Sequence, residues 1–127
     1  MSPPAIVQAL KHIGVSMAVY LPDEWLEPLI DAVEASPDIH GVRVAREDEG
    51  VGICAGAFFG GRRAVLMTQN SGVLLSGNAI VGCALLHHAP FLMLVSYTGS
   101  ISTVASIRST RAARPSRSSR RSDCATP

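Results

Sequence analysis

Short apolar, often β-branched runs alternate along this chain with longer stretches in which apolar residues recur at helical spacing. The short runs predict four strands, over Met17–Leu21, Gly41–Ala45, Ala64–Thr68 and Pro90–Ser96. Turns of only a few residues separate strands from helices. Because strands connected in this way through helices lie parallel, the sequence predicts an α/β fold, an open parallel sheet with helices on both faces.

Four helices are predicted around these strands. They run over Pro3–Ile13, from Asp23 as N-cap to Ala35, over Asp48–Gly60 and over Gly72–Leu86. The second helix has an apolar stripe that is expected to face the sheet: Trp25, Leu26, Leu29, Ile30 and Val33.

Charge divides the 127 residues into two unlike segments. Residues 1–100 carry five Lys and Arg against nine Asp and Glu, whereas residues 101–127 carry six Arg and one Asp. The first segment has the pattern of one globular domain, and the second is an Arg/Ser-rich tail without apolar period that we expect to be disordered. Because the change is abrupt, we hypothesise that the reading frame is lost near residue 100. The domain would then be truncated at its C-terminus.

Charge distribution and cysteine spacing indicate the cellular compartment of the protein. No Lys, Arg, Asp or Glu occurs between Arg63 and Arg108, but Gly, Ser, Asn, His and Pro interrupt that run, so we expect no membrane span. The three cysteines, Cys54, Cys83 and Cys124, form no CxxC pair, and the first two lie in predicted apolar helices, which predicts reduced core thiols. With no secretory signal pattern at Met1, the cytoplasm is the expected location.

Glu47 follows the second predicted strand and begins its helix, in ArgGluAspGluGlyValGlyIleCysAlaGly. The carboxyl ends of strands are where open α/β sheets bind ligands, so Glu47 is a candidate site residue. The alternative is an ordinary acidic residue favoured by the helix dipole. Gly50, Gly52 and Gly56 are spaced GxGxxxG rather than GxGxxG, and the next strand does not end in an acidic residue, which argues against dinucleotide binding.

Three phrases together resemble one family. They are LeuProAspGluTrpLeu at 21–26, ArgGluAspGluGlyValGlyIleCysAlaGlyAlaPhePheGlyGly at 46–61 and MetThrGlnAsnSerGlyValLeuLeuSerGlyAsnAla at 67–79. These phrases are similar to the pyrimidine-binding domain of thiamine-diphosphate enzymes, above all to the sulfopyruvate decarboxylase alpha-subunit and phosphonopyruvate decarboxylase families. The resemblance extends from about Ile6 to Gly99.

The resemblance implies a role for Glu47. In that family a glutamate nine residues before a helix glycine hydrogen-bonds N1′ of the cofactor's aminopyrimidine, and Glu47 with Gly56 keeps this spacing, whereas Glu49 does not. Glu47 is therefore the expected catalytic residue.

The resemblance also implies the surrounding site. The loop Gln69, Asn70, Ser71 and Gly72 is expected to bind the cofactor with Glu47, and Pro22 and Asp23 are candidates for the substrate side. No metal ligand is predicted in this chain. The GlyAspGly phrase that holds the diphosphate through Mg²⁺ is absent, so a beta-type, diphosphate-binding partner subunit is expected to supply that half of the site.

The implied activity is decarboxylation of a small anionic 2-oxo acid, sulfopyruvate or phosphonopyruvate, by a hetero-oligomer. One alternative is a non-catalytic remnant or interaction module of the same fold. Another is nucleic-acid binding through the Arg-rich tail, which the acidic body and the lack of interleaved aromatic residues in the tail disfavour. His87 and His88 fall at the far end of their helix and are expected to be structural.

Overall fold

A computed structural model of the chain describes residues 2–99. Its strands are β1 (Val15–Tyr20), β2 (His40–Arg43), β3 (Arg63–Gln69) and β4 (Leu92–Ser96). They form one sheet in the order β2-β1-β3-β4, and every pairing is parallel. The predicted open parallel sheet is therefore confirmed.

The helices cover both faces of this sheet. They are α1 (Pro3–His12), α2 (Glu27–Glu34), α3 (Glu47–Phe59), α4 (Asn70–Leu75), α5 (Gly77–Ala79) and a π-helix (Ile80–Leu85). The first two pack on one face, and the others pack on the opposite face. Gly14 ends α1 with φ of 79°, a left-handed conformation that glycine adopts without strain.

Aliphatic side chains form a core on each face of the sheet. Successive residues of a strand point to opposite faces, so β3 contributes Val65 and Met67 to the α1–α2 side and Ala64 and Leu66 to the α3 side. All four are at most 4% exposed. β3 is thus buried on both faces, as expected for a central parallel strand.

Three local predictions are wrong. Asp23 does not cap α2, which begins four residues later with Leu26 at its N-cap; Trp25 accordingly leaves the apolar stripe and is 51% exposed. The single helix predicted over 72–86 is divided into α4, α5 and the π-helix. Cys83 is exposed because it lies on the outer side of the π-helix, whereas Cys54 is buried as predicted.

The remaining boundaries agree within three residues. No helix within residues 2–99 is both long and apolar enough to cross a bilayer. The predicted tail, residues 101–127, and Cys124 lie outside the described residues.

Candidate functional site

Glu47 is the first residue of α3, four residues after β2 ends, at the carboxyl edge of the sheet. Its side chain is half-buried and lies against Gly72, in the first turn of α4. A Cβ atom built on Gly72 would be 2.6 Å from both Cγ and Oε1 of Glu47. Glycine at this position therefore provides the space that the Glu47 carboxylate uses.

The neighbouring acidic residues behave differently from Glu47. Asp48 receives two hydrogen bonds from Arg46, at 3.0 and 2.8 Å, and this pair lowers the pKa of Asp48 and raises the pKa of Arg46. Glu49 accepts a hydrogen bond from the Ala45 amide at 3.2 Å. Among residues 2–99, no group donates a hydrogen bond to the Glu47 carboxylate. Of the three acidic side chains, Glu47 is therefore the one whose carboxylate has no hydrogen-bond donor in this part of the chain.

A close contact at Gly50 sets the distance between α3, which begins with Glu47, and the sheet. Gly50 lies directly over β1 and β3: an added Cβ would be 2.7 Å from Leu66 and 3.4 Å from Val19. At Gly52 and Gly56, no atom of another element among residues 2–99 lies within 4 Å of the equivalent position. Gly50 thus allows close packing of α3 on the sheet, whereas Gly52 and Gly56 lie on its open outer side.

The predicted loop Gln69–Gly72 forms the end of β3 and the start of α4. Gln69 donates through Nε2 to Asp23 and accepts at Oε1 from Ser71 Oγ at 3.3 Å. Asn70 makes three hydrogen bonds, all with Thr98. The side chains of Gln69 and Asn70 are thus engaged within the protein, and Gly72 is the loop residue in contact with Glu47.

Pro22 and Asp23 follow β1 at the same edge of the sheet. Both carboxylate oxygens of Asp23 accept hydrogen bonds, one from Gln69 and one from Ser96 Oγ at 2.8 Å. Pro22 and Asp23 also line a cleft of about 290 Å³ together with Arg43 and other side chains, mostly acidic: Glu24, Glu27, Ile30 and Asp31. Since Arg43 is already bonded to Glu34, this cleft offers an anion little attraction.

Three further polar residues belong to this edge and were missed. Thr68 is 1% exposed, and its Oγ1 lies beside the Cβ position of Gly72, next to Glu47. Ser96 and Thr98 reach Asp23 and Asn70. The rule that carboxyl ends of parallel strands meet at one edge would have included them, because each stands at or just beyond a predicted strand end.

Four polar residues lie at the opposite, amino edge of the sheet, away from the candidate site. His87 and His88 precede β4, and Arg62 and Arg63 stand at the start of β3, so all four lie at the amino edge. Arg63 donates to the Ile13 carbonyl at 2.6 Å. Within residues 2–99 there is no group of three or more His, Cys, Asp or Glu side chains suited to a metal ion.

A comparison of the sequence with known protein families identifies the family of this chain. Residues 4–110 match the family described as "Thiamine pyrophosphate enzyme, N-terminal TPP binding domain". The chain belongs to this family. The resemblance inferred from the three sequence phrases is therefore confirmed.

Relatives with named activities agree with the narrower resemblance. The chain is 34% identical over 97 residues to "Sulfopyruvate decarboxylase subunit alpha" of Methanococcus maripaludis, covering 76% of this chain and 58% of that protein. It is 36% identical over 96 residues to the protein of that name from Methanothermobacter thermautotrophicus, with the same two coverages. "Phosphonopyruvate decarboxylase" of Streptomyces viridochromogenes is 32% identical over 96 residues, covering 74% of this chain and 24% of that protein.

A solved structure supports the fold. The chain superposes with a TM-score of 0.68 on a 2-oxoglutarate:ferredoxin oxidoreductase from Magnetococcus marinus, at 19% identity, covering 81% of this chain and 18% of that one.

The chain spans less than three-fifths of the length of the sulfopyruvate decarboxylase alpha subunits that it matches. This domain is a part of what those proteins contain.

Proposed function

We propose that this domain of the TPP-enzyme family is the pyrimidine-binding, alpha-type half of a thiamine-diphosphate-dependent decarboxylase. Its substrate would be a small anionic 2-oxo acid, sulfopyruvate or phosphonopyruvate, the compounds after which its relatives are named. The observation that carries the proposal is Glu47, half-buried beside Gly72 and without a hydrogen-bond donor among residues 2–99.

The chain's own residues fit the aminopyrimidine end of the cofactor. Thiamine diphosphate, when bound, supplies the electron sink that decarboxylation of a 2-oxo acid requires. Glu47 would hold or release a proton at Oε1 toward the ring nitrogen, and its contact with Gly72 keeps that oxygen at the carboxyl edge of the sheet. The loop of Gln69, Asn70, Ser71 and Gly72 would border the ring.

The diphosphate end calls for a partner. The sequence has no GlyAspGly phrase, and the relatives are named as alpha subunits, which supports a beta-type subunit that binds Mg²⁺ and the diphosphate. The open outer side of α3, at Gly52 and Gly56, is the surface proposed for that subunit, since nothing in residues 2–99 lies within 4 Å of either Cβ position. A cytoplasmic hetero-oligomer would result.

On the substrate side, Pro22 and Asp23 are the proposed contacts from this chain. Asp23 itself is anionic, so the sulfonate or phosphonate group would have to be bound elsewhere. The four arginines of residues 2–99 offer little: Arg43 and Arg46 are paired with acidic residues, and Arg62 and Arg63 lie at the amino edge. The cations for that group are therefore expected from outside residues 2–99, either from the partner subunit or from the hypothesised missing segment of this chain.

The test is reconstitution. The chain is co-expressed with a candidate beta subunit, supplied with thiamine diphosphate and Mg²⁺, and assayed for carbon dioxide release from sulfopyruvate, phosphonopyruvate and pyruvate. Glu47→Gln is expected to lower kcat at least about 100-fold, the usual contribution of a positioned proton-transfer group. The matched control is Glu49→Gln, two residues along the same acidic turn, which should stay within about twofold of the wild type.

Two results would count against the proposal. Substantial activity in Glu47→Gln would remove the assigned mechanism. Absence of turnover with every partner, in a chain that circular dichroism finds unfolded, would favour the non-catalytic remnant instead.

A further inference from the structure

The ends of three neighbouring strands are joined by side chains at the carboxyl edge. Asp23, after β1, accepts from Gln69 at the end of β3 and from Ser96 at the end of β4. Asn70 Oδ1 accepts from the Thr98 amide at 3.1 Å and from Thr98 Oγ1 at 2.9 Å, while its Nδ2 donates to the Thr98 carbonyl at 2.9 Å. We refer to these five residues as the strand-end brace.

The brace connects segments that are distant in sequence. Ser96 and Asp23 are 73 positions apart, and Gln69 and Asp23 are 46 apart. All five side chains are half-buried, and hydrogen bonds to an ionised carboxylate are stronger than neutral ones. β4 has only β3 as a neighbour within residues 2–99, so without the brace its end would be free to open locally.

The brace ends where α4 begins. Gln69 is the N-cap of α4, Asn70 is its first residue, and Gly72 follows two residues later. Since Gly72 is the residue against which Glu47 lies, a displacement of the first turn of α4 would change the space available to the Glu47 carboxylate. Catalytic groups lose rate when their supporting contacts loosen by about 1 Å.

We propose that Ser96 and Thr98 are positioning residues that, through Asp23, Gln69 and Asn70, hold the first turn of α4 against Glu47. This inference rests on the proposed function for its effect on rate. Neither residue needs to touch the cofactor or the substrate. Their contribution is to fix the place of Gly72.

The experiment compares Ser96→Ala with Ser96→Thr in the reconstituted enzyme. Ser96→Ala removes the hydroxyl that donates to Asp23, whereas Ser96→Thr keeps it. We expect kcat to fall about tenfold in Ser96→Ala with KM within about twofold, and to recover in Ser96→Thr, because the loss is one of placement rather than of binding. The control is Ser36→Ala, at the amino edge, whose side chain makes no hydrogen bond within residues 2–99.

A second measurement does not depend on activity. Hydrogen exchange of the isolated full chain should be about fivefold faster at the amides of residues 69–73 in Ser96→Ala, and unchanged in Ser36→Ala. Should Ser96→Ala fail to fold, Thr98→Val replaces it, because this variant removes the hydroxyl but keeps both backbone hydrogen bonds to Asn70.

The outcomes separate this inference from the proposed function. Wild-type kcat in Ser96→Ala, equal impairment of Ser96→Ala and Ser96→Thr, or unchanged exchange at 69–73 would each overturn the brace. A wild-type chain inactive on all three substrates would count against the decarboxylase, and the exchange measurement would then decide on the brace alone.

Discussion

Gly72→Ala tests the contact on which the Glu47 site depends. The new methyl group would be 2.6 Å from Cγ and Oε1 of Glu47, so these atoms would have to retreat by about 1 Å to reach ordinary contact. The methyl group would come still closer to Thr68 Oγ1, and Thr68 is 1% exposed within the central strand. Glu47 can swing outward, but Thr68 has no space into which to move.

The sign of the stability change follows from two opposing effects. Replacing a helical glycine by alanine favours the helix by about 0.5–1 kcal/mol, whereas overpacking a filled site costs about 1–3 kcal/mol. We expect overpacking to dominate, with Gly72→Ala less stable than the wild type by about 1 kcal/mol. Gly56→Ala is the matched control: its methyl group meets nothing within 4 Å in the described part of the chain, so the variant should be more stable than the wild type by about 0.5–1 kcal/mol.

Urea unfolding of the isolated chains measures this difference. With a urea m-value of about 1–3 kcal/mol per M, the midpoints of Gly72→Ala and Gly56→Ala should differ by about 1 M. In the reconstituted enzyme, Gly72→Ala should also lower kcat, because Glu47 is displaced. A Gly72→Ala chain as stable as Gly56→Ala would refute the reasoning, since it would mean that Glu47 and Thr68 do not occupy the space at Gly72.

Two further predictions concern groups outside the site. Burial raises the pKa of the Cys54 thiol to about 12, whereas Cys83 is exposed. Iodoacetamide at pH 8 should therefore alkylate Cys83 in the folded chain and Cys54 only after unfolding, as measured by peptide mass spectrometry. Labelling of Cys54 at the rate of Cys83 would contradict this. Hydrogen bonds from Tyr20 and then Arg43 lower the pKa of Glu34 from 4.5, so its stabilising contribution is present above pH 4.5 and lost as the pH falls below it. The difference in urea midpoint between the wild type and Glu34→Gln should therefore shrink between pH 5 and pH 3, and a constant difference would exclude the assignment.

The layered fold was predictable because its signals are local and repeated. Each strand is a short apolar run next to a turn, and the longer stretches between them are helical, with a clear apolar period near 3.6 in α1 and α2, so their order defines a parallel sheet. The second helix shows where such signals fail. Asp23 is a good N-cap residue by type, but its carboxylate instead bonds Gln69 and Ser96, which are 46 and 73 residues away. No local pattern reports such partners.

The place of Glu47 at the carboxyl edge of the sheet was predictable for a related reason. Glu47 stands at a strand-to-helix junction whatever the tertiary details, and the family resemblance, through the spacing to Gly56, is what favours it over Glu49 as the proposed site residue. Its contact with Gly72, which also lies beside buried Thr68, depends on how α3 and α4 pack on the same face, which the sequence does not encode locally. For the brace residues Ser96 and Thr98, the meeting of parallel strand ends at one edge indicates their location, but their partners Asp23 and Asn70 lie 73 and 28 residues away and have no local signal.

The charge-free stretch from α4 to the π-helix has an outer side with exposed apolar side chains. The sequence predicts a helix over Gly72–Leu86, and a helix that is apolar on all sides is normally covered on all sides. Yet several large side chains along it are more than half exposed: Leu74, Leu75, Val81, Leu85 and Leu86. Residues 2–99 cover only the inner side of α4 and the π-helix, where Gly72, Ser76 and Ala84 are buried. An apolar surface of this extent is rare on a free monomer, so we expect the outer side to be covered by protein from outside residues 2–99.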